Sequence, residues 1–258
     1  MQATPASTQA TYGKVYLIGA GPGAADLITV RGARLLAQAD VVLHDALVTE
    51  DMLALCPQAL KIAVGKRCGK LSTAQQFINK QLVDSARKYA VVVRLKGGDP
   101  MLFGRADEEL RALEKHGIAV EVVPGISAAL AAAATSQQPL TKRGVARSVA
   151  FFTSSTAPGE SEQVNMPNCD TLVQYMGGRE AAATAQRLMA QGRSAAMPVV
   201  VVENCSRDNQ RILRLRLDQL EQGLQQCEGP VLVMIGEALA SRAEQPLAIG
   251  QAKARNAA

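Results

Sequence analysis

The sequence has 258 residues, 48% of them hydrophobic and 20% charged, which supplies apolar material for one large or two medium domains, and two is the expectation. Aromatic residues amount to 3% and Trp to 0, which argues against a base-stacking reader of nucleic acid. The net charge of +5 is spread along the chain and not massed in a tail, so a moderately anionic partner suits it.

In chain order, short β-branched runs alternate with stretches of helical period, the signature of an α/β protein. "VYLIG" (15–19) predicts a strand, followed by a helix after Thr29, strands at "VVLH" (41–44) and "IAV" (62–64), and a helix from Ser72. Gln75 completes a capping box with Ser72, and Ile78, Leu82 and Ala86 recur at helical spacing, so this helix packs one apolar face. "VVVRL" (91–95), a helix over 105–116 stopped by Gly117, "VEVV" (120–123) and the small-residue helix "SAALAAAATS" complete an N-terminal unit. The expected division is a tail over 1–12, an α/β domain over 13–137 and a basic linker over 138–147, where "QQPLTKRGVAR" carries Pro, Gly and three cations.

A second α/β domain is expected over 148–245, with a loose tail over 246–258 and a patternless stretch over 155–169. Its elements are "SVAFFTSS", "TLVQYMG", a helix from Arg179 ended by Gly192, "PVVVVEN", "RILRLRL", a helix from Asp218 with Glu221 as capping partner, and "PVLVMIG". In "RILRLRL", Leu213, Leu215 and Leu217 share one face and Arg214 and Arg216 the other, as in an edge or antiparallel strand with one wet face.

The cysteines Cys56, Cys68, Cys169, Cys205 and Cys227 lie far apart with no C-x-x-C, and His44 and His116 are the only histidines, so no metal site is expected. The odd cysteine count and the polar start "MQATPASTQATYGK" point to a cytoplasmic protein, and no apolar run reaches the roughly 20 residues a bilayer needs, so neither a membrane nor nucleic acid is an expected partner.

Three glycine-bearing strand ends compete as ligand loops, since ligands of open α/β sheets gather at the carboxyl ends of strands. In "LIGAGPGAADLIT", Gly19, Gly21 and Ala24 satisfy G-x-G-x-x-A, with Asp40 or Asp45 downstream, so a nicotinamide dinucleotide is one reading. Pro22 removes a backbone N–H from that loop, and Leu27, Ile28 and Thr29 delay the helix cap, and both count against it. In "RLKGGDPMLFGR", Gly97 and Gly98 permit close backbone approach and Asp99 offers an acceptor, which suits a ribose or amino-acid group as well as a plain turn. In "VVPGISAA", Pro124 and Gly125 turn the chain and Ser127 caps a helix.

Together with "VGKRCGK", "PLTKR", "TLVQYMG" and "PVVVVEN" in the same order, these loops resemble the tetrapyrrole methylase superfamily, and most closely its uroporphyrinogen-III C-methyltransferase group. The resemblance implies two α/β domains with an active-site cleft between them, a homodimer, and folded S-adenosylmethionine (SAM) as cofactor. It implies that Pro22, Gly97, Gly98, Asp99, Leu102, Ser127, Ala128, Met176 and Cys205 line the SAM pocket, mostly through backbone groups. "ENCS" departs from the small Gly-Thr or Gly-Ser usual in the family at Cys205.

The resemblance also places Asp45 and Lys66 at acid/base positions and Arg105 next to the cofactor loop, where a guanidinium fork suits a substrate carboxylate and Glu108 or Glu109 would orient it. Lys142, where the family usually has His, with Arg143, Arg147 and Arg31, would complement an octa-carboxylate substrate. As alternatives, Asp45 is a strand-end turn residue, Lys66 a surface charge, and the two glutamates a complement to the helix N-terminus.

The implied reaction is methylation of uroporphyrinogen III at two pyrrole carbons, ending at precorrin-2, since the resemblance takes up the chain and leaves no dehydrogenase or ferrochelatase module. Sirohaem, cobalamin or a specialised haem would lie downstream. The competing readings are a methylase of a later corrinoid, a ribosomal-RNA methylase of the same fold, an NAD-binding oxidoreductase and a non-enzymatic SAM-binding module.

Overall fold

Two β-rich runs of the chain build two separate sheets in the computed structural model, which describes residues 12–64, 71–154, 166–220, 222, 224 and 227–241. The chain divides into one unit of residues 1–135 and 204–210 and another of residues 136–203 and 211–258.

The first unit holds β1 (Lys14–Gly19), α1 (Val30–Leu36), β2 (Val41–His44), α2 (Glu50–Leu53), β3 (Leu60–Ala63), α3 (Leu71–Ala86), β4 (Val91–Lys96), α4 (Ala106–Lys115), β5 (Val120–Val123) and α5 (Ala128–Thr135). Its strands are parallel in the order β3-β2-β4-β1-β5. A helix follows each strand, so both faces are covered and the strands are apolar on both sides. Val15, Leu17, Val41, Leu43 and Val92 meet Ile78, Leu82 and Leu113 on one face, while Ile18, Val42, Val93 and Leu95 meet Leu36 and Met52 on the other. Thr29 caps α1 by accepting from the Gly32 N–H at 3.1 Å, after a single 3-10 turn at Ala25–Leu27. The helix thus starts well past the glycine loop, not in the manner of the dinucleotide fingerprint.

The second unit holds β6 (Val149–Thr153), β7 (Thr171–Tyr175), α6 (Ala181–Ala190), β8 (Pro198–Glu203), β9 (Arg211–Arg216), α7 (Leu217–Leu220) and β10 (Val231–Ile235). Here the order is β6-β7-β10-β8-β9, with β6 and β7 parallel and the remaining pairs antiparallel. Leu172, Val199, Val201, Val233 and Ile235 pack on Ala181, Ala185 and Leu188 of α6 and on Leu217 and Leu220. β9 is an edge strand with Arg211, Arg214 and Arg216 exposed.

Several expectations change. α7 is one turn that begins at Leu217, because Asp218 spends its carboxylate on Arg216, at 3.0 and 2.8 Å, and not on capping; Glu221 lies outside the described residues. Residues 138–147 belong with the second unit, and Lys142 and Ala146 close a tight turn there by exchanging N–H···O bonds of 2.9 and 2.8 Å. Residues 204–210 return to the first unit: the Ala24 N–H donates to Ser206 Oγ at 3.0 Å, Arg207 Nη2 to the Leu47 carbonyl at 2.8 Å and Gln210 Nε2 to Thr135 Oγ1 at 2.8 Å.

Candidate active site

Parallel strands all end on one edge, so the loops after β1, β2, β4 and β5 meet at the carboxyl edge of the first sheet. The loops after β1 and β4 are joined by backbone alone: the Gly98 N–H donates to the Gly21 carbonyl at 2.7 Å and the Gly21 N–H to the Gly98 carbonyl at 3.2 Å. Behind them the packing admits no side chain. A Cβ on Gly125 would lie 2.3 Å from the Gly98 oxygen and 2.8 Å from the Gly19 Cα. Asp99 fastens the arrangement, accepting from the Gly125 N–H at 3.0 Å and the Met101 N–H at 2.8 Å.

Gly98 differs from its neighbours. Its φ of +69° is left-handed, yet a Cβ there would meet nothing within 4 Å. Backbone is therefore jammed together behind Gly98 and faces open space at it, the geometry that lets a ligand come up against the main chain. The half-buried Pro22, Leu102, Ser127 and Ala128 belong to these same loops and to the start of α5. Cys205 is buried in the returning segment, with its carbonyl 2.9 Å from where a Gly23 Cβ would stand, and burial pushes its thiol up to about 11. Such a thiol is not a nucleophile at neutral pH.

Beneath the loops lies a buried set of charges. Arg94 on β4 donates through Nη2 to Asp45 Oδ1 at 2.5 Å and through Nε to Glu109 Oε1 at 2.9 Å. Lys96, two residues along the same strand face, donates to Glu109 Oε2 at 2.9 Å and to the Gly104 carbonyl at 2.5 Å. Glu109 is 0% exposed, and Gln75 Nε2 from α3 reaches it at 3.4 Å. Burial opposes the Arg94 charge, but Asp45 and Glu109 outweigh it and hold its pKa above the usual guanidinium value. For Lys96, burial and then the Arg94 charge push the ammonium down, against the pull of Glu109. Asp45 keeps 30% of its side chain exposed, so a carboxylate fixed from below faces outward at the strand end.

Arg105 precedes α4 at φ 55° and ψ 29°, and Phe103 has φ 53°; left-handed conformations of this kind cost non-glycine residues roughly 1–2 kcal/mol each. The Arg105 guanidinium is gripped by Glu108 on both carboxylate oxygens, Nε to Oε1 at 2.6 Å and Nη2 to Oε2 at 2.8 Å. Glu108 thus orients Arg105 while Glu109, one residue on, turns inward. Arg31 is exposed in the first turn of α1, where it adds to the larger effect of the Lys14 ammonium in lowering the Glu121 carboxyl.

In the second unit, Met176 follows β7 at φ 56° with 54% exposure. Gln174 lies fully buried below it and donates to Ser154 Oγ at 2.5 Å and Thr184 Oγ1 at 2.9 Å. Lys142 is half-buried in the tight turn, and Arg143 and Arg147 are exposed. Lys66 lies outside the described residues. Among those residues no group of three or more His, Cys, Asp or Glu could hold a metal, and no helix is long and apolar enough to cross a membrane.

Residues 14–221 match the family of Tetrapyrrole (Corrin/Porphyrin) Methylases. The chain belongs to this family. Among relatives of this tetrapyrrole methylase, siroheme synthase 2 of Yersinia pestis (strain Pestoides F) is 45% identical over 229 residues, 87% of this chain and 48% of the relative. Siroheme synthase of Zymomonas mobilis subsp. mobilis is 44% identical over 230 residues, 87% of this chain and 49% of the relative. The methylase thus spans about half the length of the curated siroheme synthases it matches. Among solved structures, the native form of uroporphyrin III C-methyl transferase from Thermus thermophilus is 38% identical with a TM-score of 0.75, covering 88% of this chain and 93% of that one. That enzyme complexed with S-adenyl homocysteine gives a TM-score of 0.74 at 38% identity. A cobalt precorrin-4 methyltransferase gives 0.78 at 27% identity, covering 93% of this chain and all of that one.

The strand expected at "VVVRL" rests on its β-branched run, which assigns no role to Arg94 or to Lys96 just beyond it. The signal was present: in a parallel strand buried on both faces, two cations two residues apart share a face and demand buried counter-charges. Between Glu108 and Glu109 as orienter of Arg105, the three-residue spacing favours Glu108, and the structure agrees; the 100° step along the helix sends Glu109 into the protein instead.

Proposed function

We propose that this methyltransferase transfers methyl groups from SAM to two pyrrole carbons of uroporphyrinogen III, giving precorrin-2. The observation that carries the reading is the loop from Gly97 to Arg105, which sets an open, side-chain-free backbone at Gly98 a few residues before an oriented guanidinium. The match to uroporphyrin III C-methyl transferase over 93% of that chain supports the same reading.

When bound, SAM supplies an electrophilic methyl on a sulfonium. The backbone of Gly97 and Gly98 and the neighbouring Pro22, Leu102, Ser127, Ala128 and Cys205 would hold it, and the family resemblance adds Met176. Asp99 would act on it indirectly, since its carboxylate already fixes Gly125 and Met101. The pyrrole carbon of a porphyrinogen is an enamine-like nucleophile, so orientation supplies most of the rate. Arg105, held in plane by Glu108, would clamp one substrate carboxylate as a fork. Arg31, exposed at the start of α1, would add positive charge for another, and the family resemblance assigns Lys142, Arg143 and Arg147 to the substrate as well. Methylation leaves the macrocycle cationic until it loses a proton, and the Asp45 carboxylate would stabilise that charge or accept the proton. Lys66 is proposed as a second acid/base residue on the family resemblance alone, which carries a homodimer as well.

The test is optical. Incubation of the protein with SAM and uroporphyrinogen III should turn a colourless macrocycle into one with visible absorption, and Gly98→Val should abolish SAM binding by calorimetry while the protein stays folded. A protein that leaves uroporphyrinogen III colourless but changes the spectrum of a methylated corrinoid would shift the assignment to a later step.

A further inference from the structure

The acidic run that opens α4 divides its work. Asp107 turns outward to Arg111 at 2.9 Å, Glu108 holds Arg105, and Glu109 is buried against Lys96 and Arg94. Lys96 is the last residue of β4, and its Nζ bonds the carbonyl of Gly104, so one side chain joins the two ends of the loop that contains Gly97, Gly98 and Asp99. There is no slack at this closure: a Cβ on Gly104 would lie 3.1 Å from Lys96 Cε and 2.8 Å from the Pro100 oxygen. On either side of Gly104 stand the left-handed residues Phe103 and Arg105, a backbone that persists only where its surroundings over-determine it.

We infer that Lys96 is a positioning residue for Arg105: its buried ammonium, anchored on Glu109, clasps the Gly104 carbonyl and sets the left-handed turn from which the guanidinium is presented. The inference rests on the substrate-facing role proposed above for Arg105. It explains why a lysine occupies the end of a buried strand whose one other charge is Arg94. A neutral side chain of the same length would fill the space but would leave both the Gly104 carbonyl and one Glu109 oxygen without a donor. It also makes α4 a single bracket, with Glu109 fixing the loop from inside and Glu108 the side chain from outside.

The test is a double-mutant cycle on the full chain, with wild type, Lys96→Met, Arg105→Ala and the double variant assayed for uroporphyrinogen III turnover, SAM affinity and amide hydrogen exchange. Lys96→Met should leave SAM affinity unchanged, speed exchange at residues 103–106 but not in the central strands, and lower kcat/KM by about 10- to 100-fold, as loss of orientation does. In the Arg105→Ala background the same change should cost nothing further, because the two residues act as one unit. Full additivity, or Lys96→Met with wild-type kcat/KM, would overturn the inference. Should Lys96→Met not fold, Glu109→Gln, which keeps the shape and removes the anchor's charge, takes its place in the cycle with the same two outcomes. A wild type inactive on uroporphyrinogen III would instead count against the proposed substrate, and the exchange measurement would still decide whether Lys96 holds the turn.

Discussion

The two units bury polar side chains in opposite ways. In the first, Arg94, Lys96 and Glu109 form a charged cluster under the loops at one sheet edge. In the second, Gln174, Ser154 and Thr184 form a neutral cluster, and the buried acid Glu203 is served mainly by backbone, accepting from the Glu228 and Gly229 N–H groups at 2.7 and 2.8 Å. Topology accounts for the difference. Parallel strands bring every carboxyl end to one edge, so charged residues placed there need charged partners within the same sheet and its helices. In the second unit strand directions alternate over most of the sheet, no edge collects all the loops, and hydroxyls and amides suffice apart from one exposed cation, Arg211, at 3.4 Å from Glu203 Oε2.

The sharpest break of this comparison is Glu109→Ala against Gln174→Leu. Removing Glu109 takes the ion-pair partner from the buried Lys96 and leaves it beside Arg94, which keeps only Asp45, and the expected loss is about 3–5 kcal/mol, or a chain that does not fold. Gln174→Leu removes a carbonyl oxygen that has no hydrogen-bond partner together with an amide shared by two hydroxyls, and should cost only about 1 kcal/mol. Urea denaturation of both variants measures the gap. Equal losses would mean that the charged cluster is no more demanding than the neutral one.

A finer break compares two glycines within the first unit. Gly125→Ala drives a methyl into the Gly98 carbonyl and the Gly19 backbone and should destabilise by about 1–3 kcal/mol, while displacing the loop that Asp99 fastens. Gly98→Ala meets no neighbour and should cost only its left-handed φ, roughly 1 kcal/mol. Its effect should fall on SAM affinity. Gly98→Ala with normal SAM affinity by calorimetry, beside a Gly125→Ala variant that keeps its stability and loses affinity, would reverse the assignment of which glycine packs and which faces ligand.

Much of this was legible because it is local. Strands, most helix starts and the pairing of Arg105 with Glu108 follow from periodicity, capping and a three-residue spacing. The inward turn of Glu109 needed knowledge of what α4 packs on, which spacing from Arg105 does not give. The return of residues 204–210 to the first unit was invisible for another reason: it is made by a hydroxyl, a guanidinium and an amide reaching partners up to 182 residues away in sequence, with no apolar pattern to mark it. The single turn of α7 was misjudged because Asp218 reads as a cap until Arg216 is seen to claim it.

The smallest effect expected tests whether a surface carboxylate in the second unit is likewise held by backbone. Asp170 Oδ2 accepts from the Arg147 and Ser148 N–H groups at 2.8 and 2.9 Å and from the Ser148 hydroxyl at 2.8 Å, joining the start of β6 to the start of β7. The Arg147 N–H first, then the Ser148 hydroxyl and N–H, hold its carboxyl below the ordinary 3.8. A folded-state pKa below the unfolded one means that the unfolded chain binds more protons, so the contribution is fully present above pH 3.8 and is lost as pH falls through the lower, folded value. Asp170→Asn should therefore lower Tm modestly at neutral pH, and the gap to wild type should close as pH drops below 3.8. Because the main partners are backbone and hydroxyl dipoles, with the Arg193 charge the smallest contributor, salt should change the gap little. A gap that stays constant from neutral to acid pH would show that the amide serves as well as the carboxylate, and that β6 and β7 are tied by hydrogen-bond geometry without need of the charge.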